Sequence, residues 1–489
     1  MIQKKILSPV SRIEGHLSVE VKVQGGQVTE AYIRGEMYRG IENIVLGRRP
    51  LDAIRIVQRI CGVCHEVHGI AAARVIAPIY GVTPPLNGAI ITDIILALHL
   101  ACDHILHFYQ LALPDYVDFS VLTSYCGSDP LFKQLRDWLA VKRPLLFLKK
   151  VPGDYVKDPK IVPSFFGHYI EALEMVAKGG QGLAVLGSKA PFSHAIFPGG
   201  ISADLSADRI AKVESITQEL YRFVRTAYLP DVKDLARLYP AYFRLGVGWK
   251  NLLAYGGFTS LGEPLFEPGV WINGQRYPLS AEKIVEHVAY SYYEGEAKPF
   301  FEEDTHPQPK KSGAYSWIKA PRYDGHPMET GPLARIWFSK EGRARFLTCL
   351  KELGYSEKEA VSVMGRHLAR ALETELLLEF VLKALDRLDP AGPTITNVNP
   401  EEPISGQAYA LSNAARGDLL HYLEVDRGRI TRYQAVVPTT WNFSPRDERG
   451  LMGPAEKAIV GTPVAFKEGL IEVGRVLRSF DPCMACSVH

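Results

Sequence analysis

Two CxxC pairs stand near opposite ends of this chain, "CGVC" at Cys61–Cys64 and "CMAC" at Cys483–Cys486. A CxxC pair can hold one metal ion because its side chains converge across a tight turn or a helix start. Each pair is followed by a histidine at a similar offset, His68 after the first and His489 after the second. If the pairs share an ion, residues 419 positions apart must meet, and the fold has to bring its two ends to one place. Structural zinc sites are mostly local staples, with the second pair close to the first in sequence. Closing so long a loop costs little extra entropy, yet doing so merely to staple a fold is unusual. The separation therefore favours a reaction centre. A redox dithiol at "CGVC", a structural zinc site and unrelated thiols remain open at this level.

The other cysteines, Cys102, Cys126 and Cys349, are isolated, and seven in 489 residues is odd and sparse, so no disulfide framework is expected. Each reads as a small buried hydrophobe. With 47% apolar and 22% charged residues, the chain can bury a large core. A net charge of +2 gives no reason to expect nucleic acid or an anionic membrane as partner. "MIQKKILSPVSRIEGH" has no apolar run of secretory-signal length behind it. The most apolar stretch, "AIITDIILALHLACDHILHFYQLAL", is broken by two Asp and three His. It reads as falling short of the ~20 residues of a membrane span. The expectation is a chain that neither inserts into a membrane nor crosses one by a signal of its own.

Alternation in "LSVEVKV" and "VTEAYIR" around "QGGQ" predicts a β-hairpin over about 15–35. A helix is predicted over 86–113, where Ile91, Ile94, Ile95, Leu98, Cys102, Ile105 and Tyr109 follow helical spacing. His99, Asp103 and His107 recur every fourth residue on it, either as a solvated stripe or as a polar seam facing a buried site. Helices are also predicted over 209–228 and 359–388, short strands and loops over 240–335, and an irregular β-rich stretch over 394–450. No repeat, low-complexity tract or linker divides the chain. The expected fold is α+β: one large, mainly helical domain over 1–489, with a central helix bundle and small peripheral sheets. Its N- and C-terminal segments would meet at a buried metal site.

At this point the residues resemble a known family. "QRICGVCHEVH" resembles the RxCGxCxxxH motif of nickel–iron hydrogenase large subunits, and "DPCMACSVH" resembles their DPCxxCxxH motif. "SPVSRIEGH", "YRGIE", "KAPRY", "ETGPLAR" and "VVPTTWNFSPRD" also look like segments of this family, so the resemblance covers nearly the whole chain. It implies nickel held by Cys61, Cys64, Cys483 and Cys486, with Cys64 and Cys486 shared with an iron that carries one carbon monoxide and two cyanides. It implies heterolytic splitting of H2, with Glu14 relaying the proton from the terminal thiolate Cys483. Arg416 matches the arginine over the open metal position and Thr439 a hydroxyl bound to cyanide. Asp103 and Asp481 match carboxylates of the same pocket, and His68 matches a histidine behind a bridging cysteine. One departure is Ala415, which stands where the family's APRG has proline. Glu42, the Ala435 carbonyl and His489 match a magnesium site, which in some relatives carries iron. In the family the precursor is cut after this last histidine, and a chain ending at His489 looks like the processed form.

With no cysteines left for an iron–sulfur cluster in this chain, the resemblance implies a separate iron–sulfur small subunit. The pair would form a heterodimer or a dimer of heterodimers, with a membrane cytochrome b or quinone-linked subunit reached through the small subunit. Gln58 before "RICGVC" looks like the respiratory uptake branch, exported with its partner to the periplasm or the membrane. The alternatives are a cytoplasmic, cofactor-coupled hydrogenase, an H2 sensor, the metal-free quinone-binding subunit of respiratory complex I, and a structural zinc protein.

Overall fold

The computed structural model describes residues 2–142, 151–466 and 468–489. Its principal elements, in chain order, begin with strands β1 (Gln3–Leu7), β2 (Leu17–Gln24) and β3 (Gln27–Gly35). Helices α1 (His65–Ile76), α2 (Leu86–Leu106), α3 (Val162–Gly187), α4 (Ala207–Phe223) and α5 (Val363–Leu385) follow. Strands β4 (Gly406–Ala414), β5 (Gly417–Asp426) and β6 (Arg429–Val436) precede the last long helix, α6 (Ile471–Ser479).

Four helices form a closed ring of contacts: α2 packs on α3, α3 on α4, α4 on α5 and α5 back on α2. This is the central bundle expected from the sequence. The β2–β3 hairpin turns at Gly25–Gly26, both left-handed, where glycine carries no Cβ penalty. β1 adds a third antiparallel strand on the β2 edge, which the alternation pattern did not reveal. The β-rich stretch resolves into the antiparallel meander β4–β5–β6, against which α1 packs.

Three local features differ from these expectations. The predicted helix 86–113 is α-helical to Leu106 and then widens into a π turn over His107–Ala112. A second π turn, Val224–Tyr228, follows α4 and meets the first through Phe108 and Tyr228, 5.2 Å between ring centroids. The chain from Leu86 to Asp115 is long and apolar enough to cross a membrane by length and composition, contrary to the sequence reading. It lies buried at the heart of the bundle, which accounts for its apolarity. A further helix not among those expected is α3, 26 residues long and rich in glycine. Each interior glycine costs about 1 kcal/mol against alanine. At Gly179 the loss has a purpose, because a Cβ there would run into the Cys102 sulfur and hold α2 and α3 apart.

Several charges inside the bundle are paired. Arg366 grips both oxygens of Glu329 at 2.7 and 2.8 Å. Glu373 accepts from Arg335 and lies 3.0 Å from His104 Nε2. Burial pushes the Glu373 carboxyl up, but Arg335 and His104 outweigh it and hold it at about 2. The carboxylate therefore stabilises the fold fully above its ordinary value near 4.5, and the contribution fades as pH falls towards 2. Glu373→Gln should cost about 3–5 kcal/mol at neutral pH, because it strands a buried arginine. Urea unfolding across pH should show the gap from wild type narrowing below pH 4.5.

Candidate metal centre

The first CxxC lies between a short 3-10 turn, Gln58–Ile60, and α1, whose N-cap is Cys64. The second follows α6 through a sharp turn at Asp481, which takes a left-handed φ of 56°. Aspartate tolerates that conformation better than most residues. The second segment runs beside the N-terminal one: Glu14 and Cys483 form a parallel bridge, and the Met484 amide donates to the Glu14 carbonyl at 2.7 Å. Gly15 makes the close approach possible. Its φ is +82°, and a Cβ there would sit 2.7 Å from the Ala485 nitrogen. Gly15→Ala should lower stability by at least about 1 kcal/mol from the left-handed backbone alone. Thermal unfolding of the purified protein measures this, and a midpoint equal to wild type would rule the close packing out.

The result is one cluster of four buried sulfurs, all within 4.8 Å of one another. Cys64 Sγ lies 2.8 Å from Cys486 Sγ, Cys483 Sγ 2.8 Å from Cys486 Sγ, and Cys61 Sγ 3.3 Å from Cys483 Sγ. All four are free thiols. Burial pushes Cys64, Cys483 and Cys486 up. At Cys61 burial also acts upward, but hydrogen bonds from the three neighbouring sulfurs outweigh it and pull the thiol well down. The amides of Val63 and Cys64 also donate to Cys61 Sγ, each at 3.2 Å. Protein groups alone thus push the four sulfurs in opposite directions. A bound soft cation would let all four ionise, so this donor set fits a thiophilic metal. It is the one such cluster of metal ligands among the described residues.

Beside Cys64, Cys483 and Cys486 is a small cavity. Val67, Leu419 and Pro438 line it with apolar surface, and Arg416, Thr439 and His68 add polar groups. Arg416 Nη1 donates to Asp103 Oδ2 at 3.0 Å, and its Nε lies 3.3 Å from Asp481 Oδ1. Burial raises Asp103 to about 7 although Arg416 opposes it. Where the family pattern has proline, Ala415 is the first residue of a two-residue hairpin turn. Ala414 pairs with Gly417 across that turn, so the backbone still fixes Arg416. Thr439 Oγ1 accepts from the Cys483 amide at 3.1 Å. His68 Nδ1 lies 3.2 Å from His421 Nε2, and Tyr433 stands 2.6 Å behind His421. His99, Asp103 and His107 are all buried, so the seam on α2 faces inward and is not a solvated stripe.

Glu14 is half-buried, and burial first, then the Cys61 thiolate, raise its carboxyl. Arg12 does not pair with it and turns instead to Asp115 and the Leu111 carbonyl. His489 Nε2 lies 3.1 Å from Glu42 Oε1, and the Ala435 amide donates to the same oxygen at 2.9 Å. Lys319, Thr305, Gln434, Glu286 and Glu303 complete this second polar cluster, and none of them was legible from spacing. Cys102 and Cys349 are buried as expected, whereas Cys126 is exposed, on an irregular loop before the helix Pro130–Lys142. A larger cavity of about 520 Å³ opens near Arg74, Asp93, Phe197 and Phe258, away from the sulfurs.

A family model described as nickel-dependent hydrogenase matches residues 39–489. The chain belongs to the nickel-dependent hydrogenase family. It is 35% identical to the periplasmic [NiFeSe] hydrogenase large subunit of Desulfomicrobium baculatum, over 99% of this chain and 94% of that one. It is 33% identical to the hydrogenase-2 large chain of Escherichia coli strain K12, over 100% of this chain and 97% of that one. The solved Ni-Fe-Se hydrogenase from D. vulgaris Hildenborough superposes with a TM-score of 0.91 at 34% identity, covering 100% of both chains. The fold is thus that of the hydrogenase large subunit, and the protein is an H2 oxidoreductase. Some of these hydrogenases are named for selenium, but all four sulfur positions here are cysteine.

Proposed function

We propose that this chain is the H2-splitting subunit of a respiratory uptake hydrogenase, with Cys61, Cys64, Cys483 and Cys486 as the nickel ligands. The observation that carries the reading is the cluster of four buried sulfurs drawn from both ends of the chain. Cys64 and Cys486, which line the cavity together with Cys483, would also hold an iron bearing carbon monoxide and two cyanides. When bound, this group supplies the Lewis-acid and redox chemistry that polarises H2 and takes its electrons. The chain's residues do the rest. Arg416, clamped between Asp103 and Asp481, holds a fixed positive charge against the cavity. Thr439 presents its hydroxyl there, and Val67, Leu419 and Pro438 exclude water. Glu14 takes the proton from Cys483 Sγ and passes it outward, a task suited to a half-buried carboxyl raised above its ordinary value. His68, backed by His421 and Tyr433, orients the wall behind Cys64.

A magnesium ion at Glu42, the Ala435 carbonyl and His489 belongs to the same reading. It is supported by three buried carboxylates, Glu42, Glu286 and Glu303, set against the single ammonium of Lys319. Glu286 has no hydrogen-bond partner at either oxygen, which leaves acceptors for an ion's water shell. Electrons leave to an iron–sulfur small subunit over the surface at Gly62, which is exposed between two of the buried ligands. The assembly works in the periplasm or at the membrane, and the periplasmic relative supports the first of these. Metal analysis of the purified complex should find nickel with iron, and H2 should reduce a viologen dye. Infrared spectra should show bands of metal-bound carbon monoxide and cyanide. Zinc in place of nickel, or active protein without those bands, would sink the assignment. Spectral change on H2 with negligible turnover would make the chain a sensor.

A further inference from the structure

Behind the metal pocket, where α5 faces α6 and the π turn after α2, buried polar atoms stand without partners. His367 has none at either ring nitrogen, Arg370 none at Nε or Nη1, and His107 none at Nδ1. The Tyr116 hydroxyl and Asp481 Oδ2 are likewise unmatched. All five side chains are buried. They are contiguous: His107 and His367 stack at 5.8 Å between ring centroids, and Tyr116 meets His367 edge-on at 6.1 Å. Arg370 lies one turn along α5 from His367 and donates through Nη2 to the Ser479 carbonyl at 3.0 Å, two residues before Asp481.

The donors and acceptors are complementary but do not touch. His107 Nε2 faces the Arg478 carbonyl at 2.7 Å, so that nitrogen carries the hydrogen and, in a neutral ring, Nδ1 accepts. Burial keeps both imidazoles neutral. Arg370 offers only donors, and Asp481 Oδ2 only accepts. A buried polar group left unmatched is costly, and native proteins leave few of them so. Water is both donor and acceptor, and a buried water typically makes about three hydrogen bonds.

We propose that the unmatched polar atoms between the π turn, α5 and α6 form an internal-water site. Through its water, His367 and Arg370 act as positioning residues for Asp481 and hence for Arg416. Asp481 spends Oδ1 on Arg416, and water bound to Oδ2 fixes the plane of the carboxylate. The positioning role rests on the reading of Arg416 as the charge beside the H2 site; the water site does not.

A high-resolution crystal structure of the wild-type holoenzyme tests the first part. Ordered waters are expected within hydrogen-bond distance of the His367 ring, His107 Nδ1 and the free nitrogens of Arg370. A dry pocket overturns the proposal, and this readout stands even if no variant folds. For the second part, His367→Leu should retain nickel and its KM for H2 but lose kcat by about ten-fold or more. His367→Gln, which keeps a donor and an acceptor, should restore kcat. A leucine variant with wild-type kcat overturns the positioning role. Wild-type protein that holds nickel but turns over no H2 overturns the hydrogenase reading and the positioning role together, and leaves the water site in place.

Discussion

Cys64→Ala is expected to abolish both nickel retention and H2 turnover. Cys64 is 2.8 Å from Cys486 and 3.8 Å from Cys483, so its sulfur sits among the others, not at their edge. Removing it leaves three thiols that burial keeps from ionising together, and opens the side of the cluster that faces the cavity. Changing a group that only backs a metal ligand typically costs about 10–100-fold in affinity or activity, so losing the ligand itself must cost more. Cys64 is also the N-cap of α1, but it makes no side-chain capping bond, so its loss should not unfold the helix. Nickel content by elemental analysis and viologen reduction give the two readouts, with circular dichroism as the control. Nickel at the wild-type level in a folded variant would remove Cys64 from the ligand set.

Glu14→Gln separates proton transfer from metal binding. The backbone of Glu14 is committed to the fold, since its carbonyl accepts from the Met484 amide and the residue forms an isolated bridge with Cys483. The side chain is not part of that pairing, and glutamine has nearly the same shape. The variant should therefore keep its nickel and its infrared bands while turnover falls by about 10²–10⁴-fold, the usual worth of a positioned proton carrier. Loss of the metal would instead show that the carboxylate is structural.

What could be read from the sequence follows from what kind of information each feature carries. Cys61, Cys64, Cys483 and Cys486 are scarce residues in a rare spacing, so their convergence was legible before any coordinate. The seam His99–Asp103–His107 was legible as a face but not as a destination. Periodicity says which residues share a side of a helix, and only packing says what lies opposite. The helix α3 escaped because its glycines lower helix propensity, and their reason, contact with Cys102 on another helix, is tertiary. Lys319 and its carboxylates come from short strands and loops with no helical or strand period to link them. Arg370 and His367 look in sequence like the polar residues of any long helix. Their missing partners become visible only when the burial of α5 is known.

The pairing of Glu14 with Cys483 also sets a timetable. A ribosome adds roughly 5–20 residues each second, so the 419 residues between Cys64 and Cys483 take roughly 20–80 s to make. Throughout that interval the first two thiols exist without the other two, and the groove beside Glu14 and Gly15 has no strand to receive. The nascent chain thus carries half of a reactive thiol cluster past any oxidant or stray metal it meets. Whatever keeps Cys61 and Cys64 reduced and empty has to act during synthesis, well before the enzyme has a site to protect.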